Sequence, residues 1–360
     1  MLSAVHIQGY RGLRDFSLEP LGRINLIVGN NNSGKTSVLE AIQVFVEQDT
    51  LAPLYEITRR RNEMIEIPPK TDRPAMTLHD LSHIFSGHQI DDGAELKISG
   101  IDETGEFSTH LFAAYVERST VVNLDDPDSS TPLESSEWPF HVRISWRGRN
   151  VSDTTLSRYS GGFQLAYRPR TPRRQRSAVF IPAAGLGEND IVDELERVLR
   201  NPNEEGFVID AMRSIEDSIM DLRTIGSHGR TILVGQRGVA ARIPIGSYGD
   251  GMRRLLGLAL SVVESRGGFL FVDEIDSGLH YTVMEKMWKL VLEAAKANNV
   301  QVFATTHSRD CVDALDSISR EGVFEDSEVM IHRIEAGKSK SISYSEATIK
   351  AVAEFGNEVR

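Results

Sequence analysis

One loop limits how this chain can fold more than any other feature: Gly29-Asn30-Asn31-Asn32-Ser33-Gly34-Lys35-Thr36. It fits the phosphate-binding pattern G-x-x-x-x-G-K-[ST] at every fixed position. Ile24-Asn25-Leu26-Ile27-Val28 before it reads as a buried strand. The run Ser37 to Phe45 after it reads as a helix with apolar positions 38, 39, 42 and 45. Strand, glycine loop and helix in that order aim backbone N–H groups and the positive end of a helix at one point, which suits phosphate oxygens. Gly29 through Ser37 are therefore the expected contacts of a nucleoside triphosphate. Within them Lys35 reaches the β- and γ-phosphates and Thr36 ligates Mg²⁺.

A second motif lies far downstream. Phe269-Leu270-Phe271-Val272 is a short apolar run that ends in Asp273-Glu274 and follows Gly267-Gly268. It predicts a strand of a parallel sheet buried on both faces. Acids at the carboxyl end of such a strand face the ligand crevice. Asp273 is the expected Mg²⁺ residue, and Glu274 the base that orients and deprotonates an attacking water. Between the two motifs, Ser247-Tyr248-Gly249-Asp250-Gly251 precedes a long apolar helix from Met252 to Ser265. A serine and two glycines at a helix start form either an ordinary cap with a glycine turn or a second anion site. One nucleotide needs one γ-phosphate site, so a second one suits a nucleotide held by another subunit.

Composition narrows the class. The chain has 360 residues, 40% of them hydrophobic, which is enough for a sizeable core. Its single cysteine, Cys311, excludes a disulfide framework, suits a reducing cytoplasm and reads as a small buried residue. No stretch approaches the roughly 20 apolar residues of a membrane span, and the N-terminus enters a strand with no signal peptide expected. The net charge of −12 argues against a dedicated nucleic-acid module.

The middle of the chain reads as insertion. Residues 95–101, 107–112 and 141–146 alternate like antiparallel strands, and 124–132 reads as an acidic, proline-broken loop. Residues 167–176 carry five arginines, a charge that grips a phosphate backbone, docks an acidic partner or is simply solvated. After a strand at 178–182, two amphipathic helices are expected at 190–200 and 204–222, separated by Asn201-Pro202-Asn203. A hairpin pairing 328–335 with 339–345 and a last helix over 345–359 close the chain. The expected domains are 1–45 and 231–360 as two parts of one head, 46–177 as a β and loop insertion, and 178–230 as a short helical lobe.

The order of motifs resembles ABC-type ATPases of the SMC, RecF and OLD group. It runs from a Walker A loop at 29–36 through a signature-like Ser247-Tyr248-Gly249-Asp250-Gly251 and Walker B at 269–274. Asp276-Ser277-Gly278-Leu279-His280 and Thr305-Thr306-His307-Ser308 complete it. Ile7 to Phe16 is similar to that group's opening strand and arginine turn. The wording Asp273-Glu274-Ile275-Asp276-Ser277-Gly278-Leu279-His280 followed by Thr-Thr-His-Ser is most like small OLD-like, AAA-annotated ATPases of bacterial anti-phage operons. The resemblance implies an α/β P-loop head with a mixed sheet, ATP as substrate and Mg²⁺ as cofactor. It implies Ser247 and Gly249 touching a partner subunit's γ-phosphate and Asp276 at a dimer interface. It also implies His307 contacting γ-phosphate, and Arg11 or Arg14 approaching the nucleotide. The signature departs from the stricter serine-glycine-glycine form, which implies slow dimer-driven hydrolysis, and neither Gln43 nor Gln164 is a good Q-loop glutamine.

OLD nucleases continue into a metal-binding Toprim domain, whereas only 53 residues follow His307 here. The expectation is therefore an ATPase that does not cut DNA itself. It would form a homodimer or higher homo-oligomer and serve as sensor or scaffold for a separate effector, such as a Toprim or HNH nuclease, in anti-phage defence. A RecF-like repair ATPase that contacts nucleic acid and, behind it, a transporter ATPase subunit are the alternatives.

Overall fold

The structure, a computed structural model, describes residues 1–47, 52–67, 76–91, 93–115, 140–146, 149–159, 162–165, 177–226, 231–323 and 328–345. In chain order the first elements are β1 (Leu2–Tyr10), β2 (Leu13–Leu18), β3 (Ile24–Val28), α1 (Lys35–Val46), α2 (Ala52–Arg60), β4 (Met64–Ile67) and β5 (Met76–His79). There follow β6 (Glu95–Asp102), β7 (Gly105–Tyr115), β8 (Phe140–Trp146), β9 (Arg149–Tyr159), β10 (Gly162–Leu165), β11 (Ala178–Ile181), α3 (Glu188–Val198) and α4 (Pro202–Arg213). The last are β12 (Ile219–Ile225), β13 (Thr231–Gln236), β14 (Ile243–Pro244), α5 (Asp250–Glu264), β15 (Phe269–Val272), α6 (Met284–Asn298), β16 (Gln301–Thr306), α7 (Arg309–Arg320), β17 (Val329–Arg333) and β18 (Ile342–Tyr344).

The chain forms two compact units. One comprises residues 1–4, 18–39 and 175–360, and the other residues 5–17 and 40–174. The first holds a six-stranded sheet in the order β11-β15-β16-β3-β17-β18, parallel except for the last pair. Strands β15, β16 and β3 at its centre are buried at every position, because helices cover both faces of a parallel sheet. Leu258 of α5, Trp288 of α6 and Leu315 of α7 pack with Leu270 and Val302 of the sheet in one core. A second core joins α3 and α4 to a three-stranded sheet, β12-β13-β14. The other unit is built on a nine-stranded sheet, ordered β2-β1-β6-β7-β8-β9-β10-β5-β4. Strands β6 to β10 pair antiparallel in succession.

One expected element is corrected. The helix read over 204–222 ends at Arg213, and Ile219 to Ile225 is a strand. Glu216 turns the chain by accepting the Ser218 N–H and O–H. A bulge between Ile219 and Asp221 then puts Ile219 and Leu222, three residues apart, on the same buried face. That spacing imitates a helix. The hairpin near the C-terminus forms between β17 and β18. The loop at 124–132, the arginine-rich run 167–176 and the last expected helix lie outside the described residues.

Candidate functional site

Three neighbouring parallel strands deliver the site residues from their carboxyl ends. The loop after β3 needs its glycines. Gly29 has φ +151°, and a Cβ there would stand 2.4 Å from the Ile334 carbonyl oxygen. Asn30, Asn31 and Asn32 are exposed along the loop, with Asn32 at φ +62°, while Ser33 is buried and Gly34 takes φ +99°. Lys35 begins α1 and is buried; its Nζ donates to the carbonyls of Gly29 and Asn30 at 2.9 and 3.1 Å. The ammonium therefore sits inside the curve of the loop.

Thr36, Asp273 and Thr305 form one cluster. Thr36 Oγ1 lies 3.1 and 3.0 Å from the two carboxylate oxygens of Asp273. Thr305 Oγ1 donates to Asp273 Oδ1 at 2.7 Å and accepts the Glu274 N–H at 2.8 Å. Glu274 has left-handed backbone, φ +50°, and its Oε2 is 2.5 Å from His307 Nδ1. Thr306 Oγ1 donates to Asp276 Oδ1 at 2.6 Å and accepts the Ser308 N–H at 2.9 Å. Ser308 in turn caps α7 by accepting the Cys311 N–H. Buried and exposed groups divide cleanly: Lys35, Asp273 and Thr305 are buried, whereas the His307 side chain is 59% exposed.

Ser247 and Gly249 stand exposed at the start of α5, and among the described residues no hydrogen bond joins them to this cluster. Ser247 lies in a 3₁₀ turn, and Gly249, with φ +85°, is the residue that precedes the helix. The turn is thus closed by backbone, and the serine hydroxyl makes no cap.

Residues 24–310 match the family described as "AAA domain, putative AbiEii toxin, Type IV TA system". The chain belongs to this AAA family. It is 21% identical to an "ATP/GTP phosphatase" of Helicobacter pylori over 353 residues, 90% of each chain. A shorter stretch of 43 residues is 54% identical to the DNA replication and repair protein RecF of Pseudomonas syringae, 12% of either chain. In fold it is similar to the Smc head domain of Pyrococcus furiosus, bound there to the C-terminal domain of ScpA. The TM-score is 0.50 at 12% identity over 99% of each chain. Family and fold together make this an ATPase of SMC/RecF type.

Two features of this AAA protein escape sequence reading. The first is Arg254 on α5, which donates to four main-chain carbonyls: Pro182 and Ala183 through Nη1, Asp273 and Glu274 through Nη2. The second is the setting of Arg11. Its side chain is buried, with Nε 3.2 Å from Glu40 Oε2, and it grips both oxygens of Glu63 at 2.6 and 2.8 Å. Arg61 holds Glu40 from the other side at 2.8 Å. Hydrogen bonds and the charges of Glu63 and Glu40 outweigh the burial that disfavours the Arg11 cation and push its pKa above the usual arginine value. Gln43, likewise, is bonded to Glu47 and Arg60.

Proposed function

We propose that this chain hydrolyses ATP at the Lys35–Asp273–Glu274 site, completes that site by pairing with a second copy, and in the ATP-bound pair senses for or scaffolds a separate effector. One observation carries the reading: Thr36 and Thr305 both reach Asp273 while Glu274 meets His307 at 2.5 Å. Lys35 and the loop N–H groups bind the phosphates. The Thr36 hydroxyl and Asp273 carboxylate are hard oxygen donors, 3.0–3.1 Å apart, and fit Mg²⁺ held together with phosphate oxygens. Bound there, the ion neutralises charge on the reacting phosphoryl group. Glu274 orients the attacking water and accepts its proton. His307 holds the Glu274 carboxylate and can instead turn to γ-phosphate, so its partner reports which state the site is in.

Ser247 and Gly249 approach the γ-phosphate bound by the second copy, and Asp276 lies at that interface. Their roles rest on the motif order and on the exposure of the α5 start. The family's description, a putative toxin of a type IV system, supports a role beside an effector. The ScpA domain on the Smc head supports partner docking by this fold. In this reading the effector is a nuclease of Toprim or HNH type, the setting is anti-phage defence in the cytoplasm, and the chain itself cuts no DNA. The RecF stretch favours a second reading, a repair ATPase on DNA. Stimulation of turnover by gapped DNA without any second protein separates it from the first.

The test measures phosphate release and particle mass with Mg-ATP for the unaltered chain and for Glu274→Gln. The expected result is slow release by the first, none by the second, and a doubled mass for Glu274→Gln with ATP. Undiminished release by Glu274→Gln sinks the base assignment, and a mass indifferent to ATP sinks the paired site.

A further inference from the structure

One face of α5 supports the end of β15. Gly251 and Arg254 are three residues apart in the helix and share that face. A Cβ on Gly251 would lie 3.4 Å from the Gly278 carbonyl oxygen and 3.6 Å from Leu279 Cδ2, so the first turn of α5 rests against the segment that follows Asp276. One turn on, Arg254 Nη2 donates to the carbonyls of Asp273 and Glu274 at 3.2 and 2.9 Å. Its Nη1 donates to those of Pro182 and Ala183 at 3.2 and 3.4 Å. Strands β11 and β15 are parallel neighbours, so the guanidinium ties together the two strand ends. Gly185, at φ +84°, leaves it room: a Cβ there would lie 2.9 Å from Nη1.

The site has a reason to need such a tie. Glu274 has φ +50°, a conformation a non-glycine residue keeps only where its surroundings over-determine it. Thr305 fixes its N–H and Arg254 fixes its carbonyl. We infer that Arg254 is a positioning residue for ATP hydrolysis. It holds the Asp273–Glu274 backbone in the setting that aims the Glu274 carboxylate, and it makes that setting depend on where the first turn of α5 lies. The turn carries Ser247 and Gly249 just before it, so a second copy's nucleotide docking there reaches this chain's own base through Arg254. The inference rests on the ATPase reading above.

Arg254→Ala and Arg254→Lys are compared with the unaltered chain for Mg-ATP affinity, kcat and melting midpoint, with and without added guanidinium ion. Affinity is expected to stay within about twofold, because Lys35 and the loop are untouched, while kcat falls about 10- to 100-fold, the cost of a small misplacement. Guanidinium should restore part of the Arg254→Ala rate and none of the Glu274→Gln rate. Should the alanine variant fail to fold, lysine decides: a single ammonium cannot span four carbonyls, so kcat falls with affinity kept. A kcat within about twofold of the unaltered chain in either folded variant overturns the inference. So does a loss in which rate, affinity and melting midpoint fall together with no guanidinium recovery. An unaltered chain that releases no phosphate sinks the ATPase reading itself. An active chain with unimpaired Arg254 variants sinks only this inference.

Discussion

Replacing Thr305 with valine tests the strand-end geometry without removing a charge. The side chain is fully buried, donates to Asp273 Oδ1 at 2.7 Å and accepts the Glu274 N–H at 2.8 Å. Valine keeps the branched shape and loses both bonds. The bond to a carboxylate is worth about 1.5–3 kcal/mol, and stranding the part-buried N–H costs about 1–3 kcal/mol. Extra apolar burial by the new methyl offsets about 1 kcal/mol. A net destabilisation of about 1.5–5 kcal/mol follows. Thr305→Ser keeps both bonds and loses one methyl group, about 1 kcal/mol. The expected order of stability is therefore threonine, serine, valine, the reverse of what hydrophobicity alone gives for the two variants. Urea unfolding of the three proteins measures it, and phosphate release should fall more in the valine variant than in the serine one. A valine variant within about 0.5 kcal/mol of the parent, or more stable than serine, refutes the reasoning.

Lys35→Ala should abolish binding of a fluorescent ATP analogue, since it removes the charge on the β- and γ-phosphates; retained affinity would displace Lys35 from the site. Ser247→Arg or Gly249→Asp should leave ATP binding to one copy nearly intact and block ATP-dependent pairing, read by light scattering in the Glu274→Gln background. Pairing that survives both changes dismisses these residues from the interface. Arg11→Met should cost about 3–5 kcal/mol through Glu40, which is 1% exposed, and Glu63, with ATP affinity unchanged. A steep loss of ATP affinity in a folded Arg11→Met chain would instead place Arg11 at the nucleotide. Burial lowers the His332 pKa to about 3 from its ordinary value near 6.5. The unfolded chain therefore takes up the proton first, so this contribution to stability is complete above about pH 6.5 and is lost as pH falls toward 3. Unfolding midpoints at about pH 7 and 5, compared with those of His332→Gln, isolate it, and parallel pH dependence in the two proteins rules it out.

Glycine loops and apolar runs speak through side chains that any reader of the sequence can see. The strands at 24–28 and 269–272 and the helix from Lys35 were legible for that reason. The 204–222 helix was misread because a β-bulge spaces Ile219 and Leu222 as a helix would. Arg254 left no trace because its four partners are carbonyls, which every residue carries. The pairing of Arg11 was equally hidden, because its carboxylates, Glu40 and Glu63, come from distant segments.

The placement of the two threonines on β16 explains how separate motifs can act together. This strand lies between β15 and β3, the strands that end in Asp273 and in the phosphate loop. Thr305 bonds Asp273 and the Glu274 N–H, and its neighbour Thr306 bonds Asp276. His307 follows immediately and meets Glu274. Three positions after β15, Asp273, Glu274 and Asp276, are thus indexed by three consecutive residues of β16 and its end. A shift of either strand end moves Asp273, Glu274 and Asp276 together. Contacts of this kind link the exposed His307 at the rim to the buried Asp273 and Thr305, so the site can respond as a unit to whatever presses on that rim.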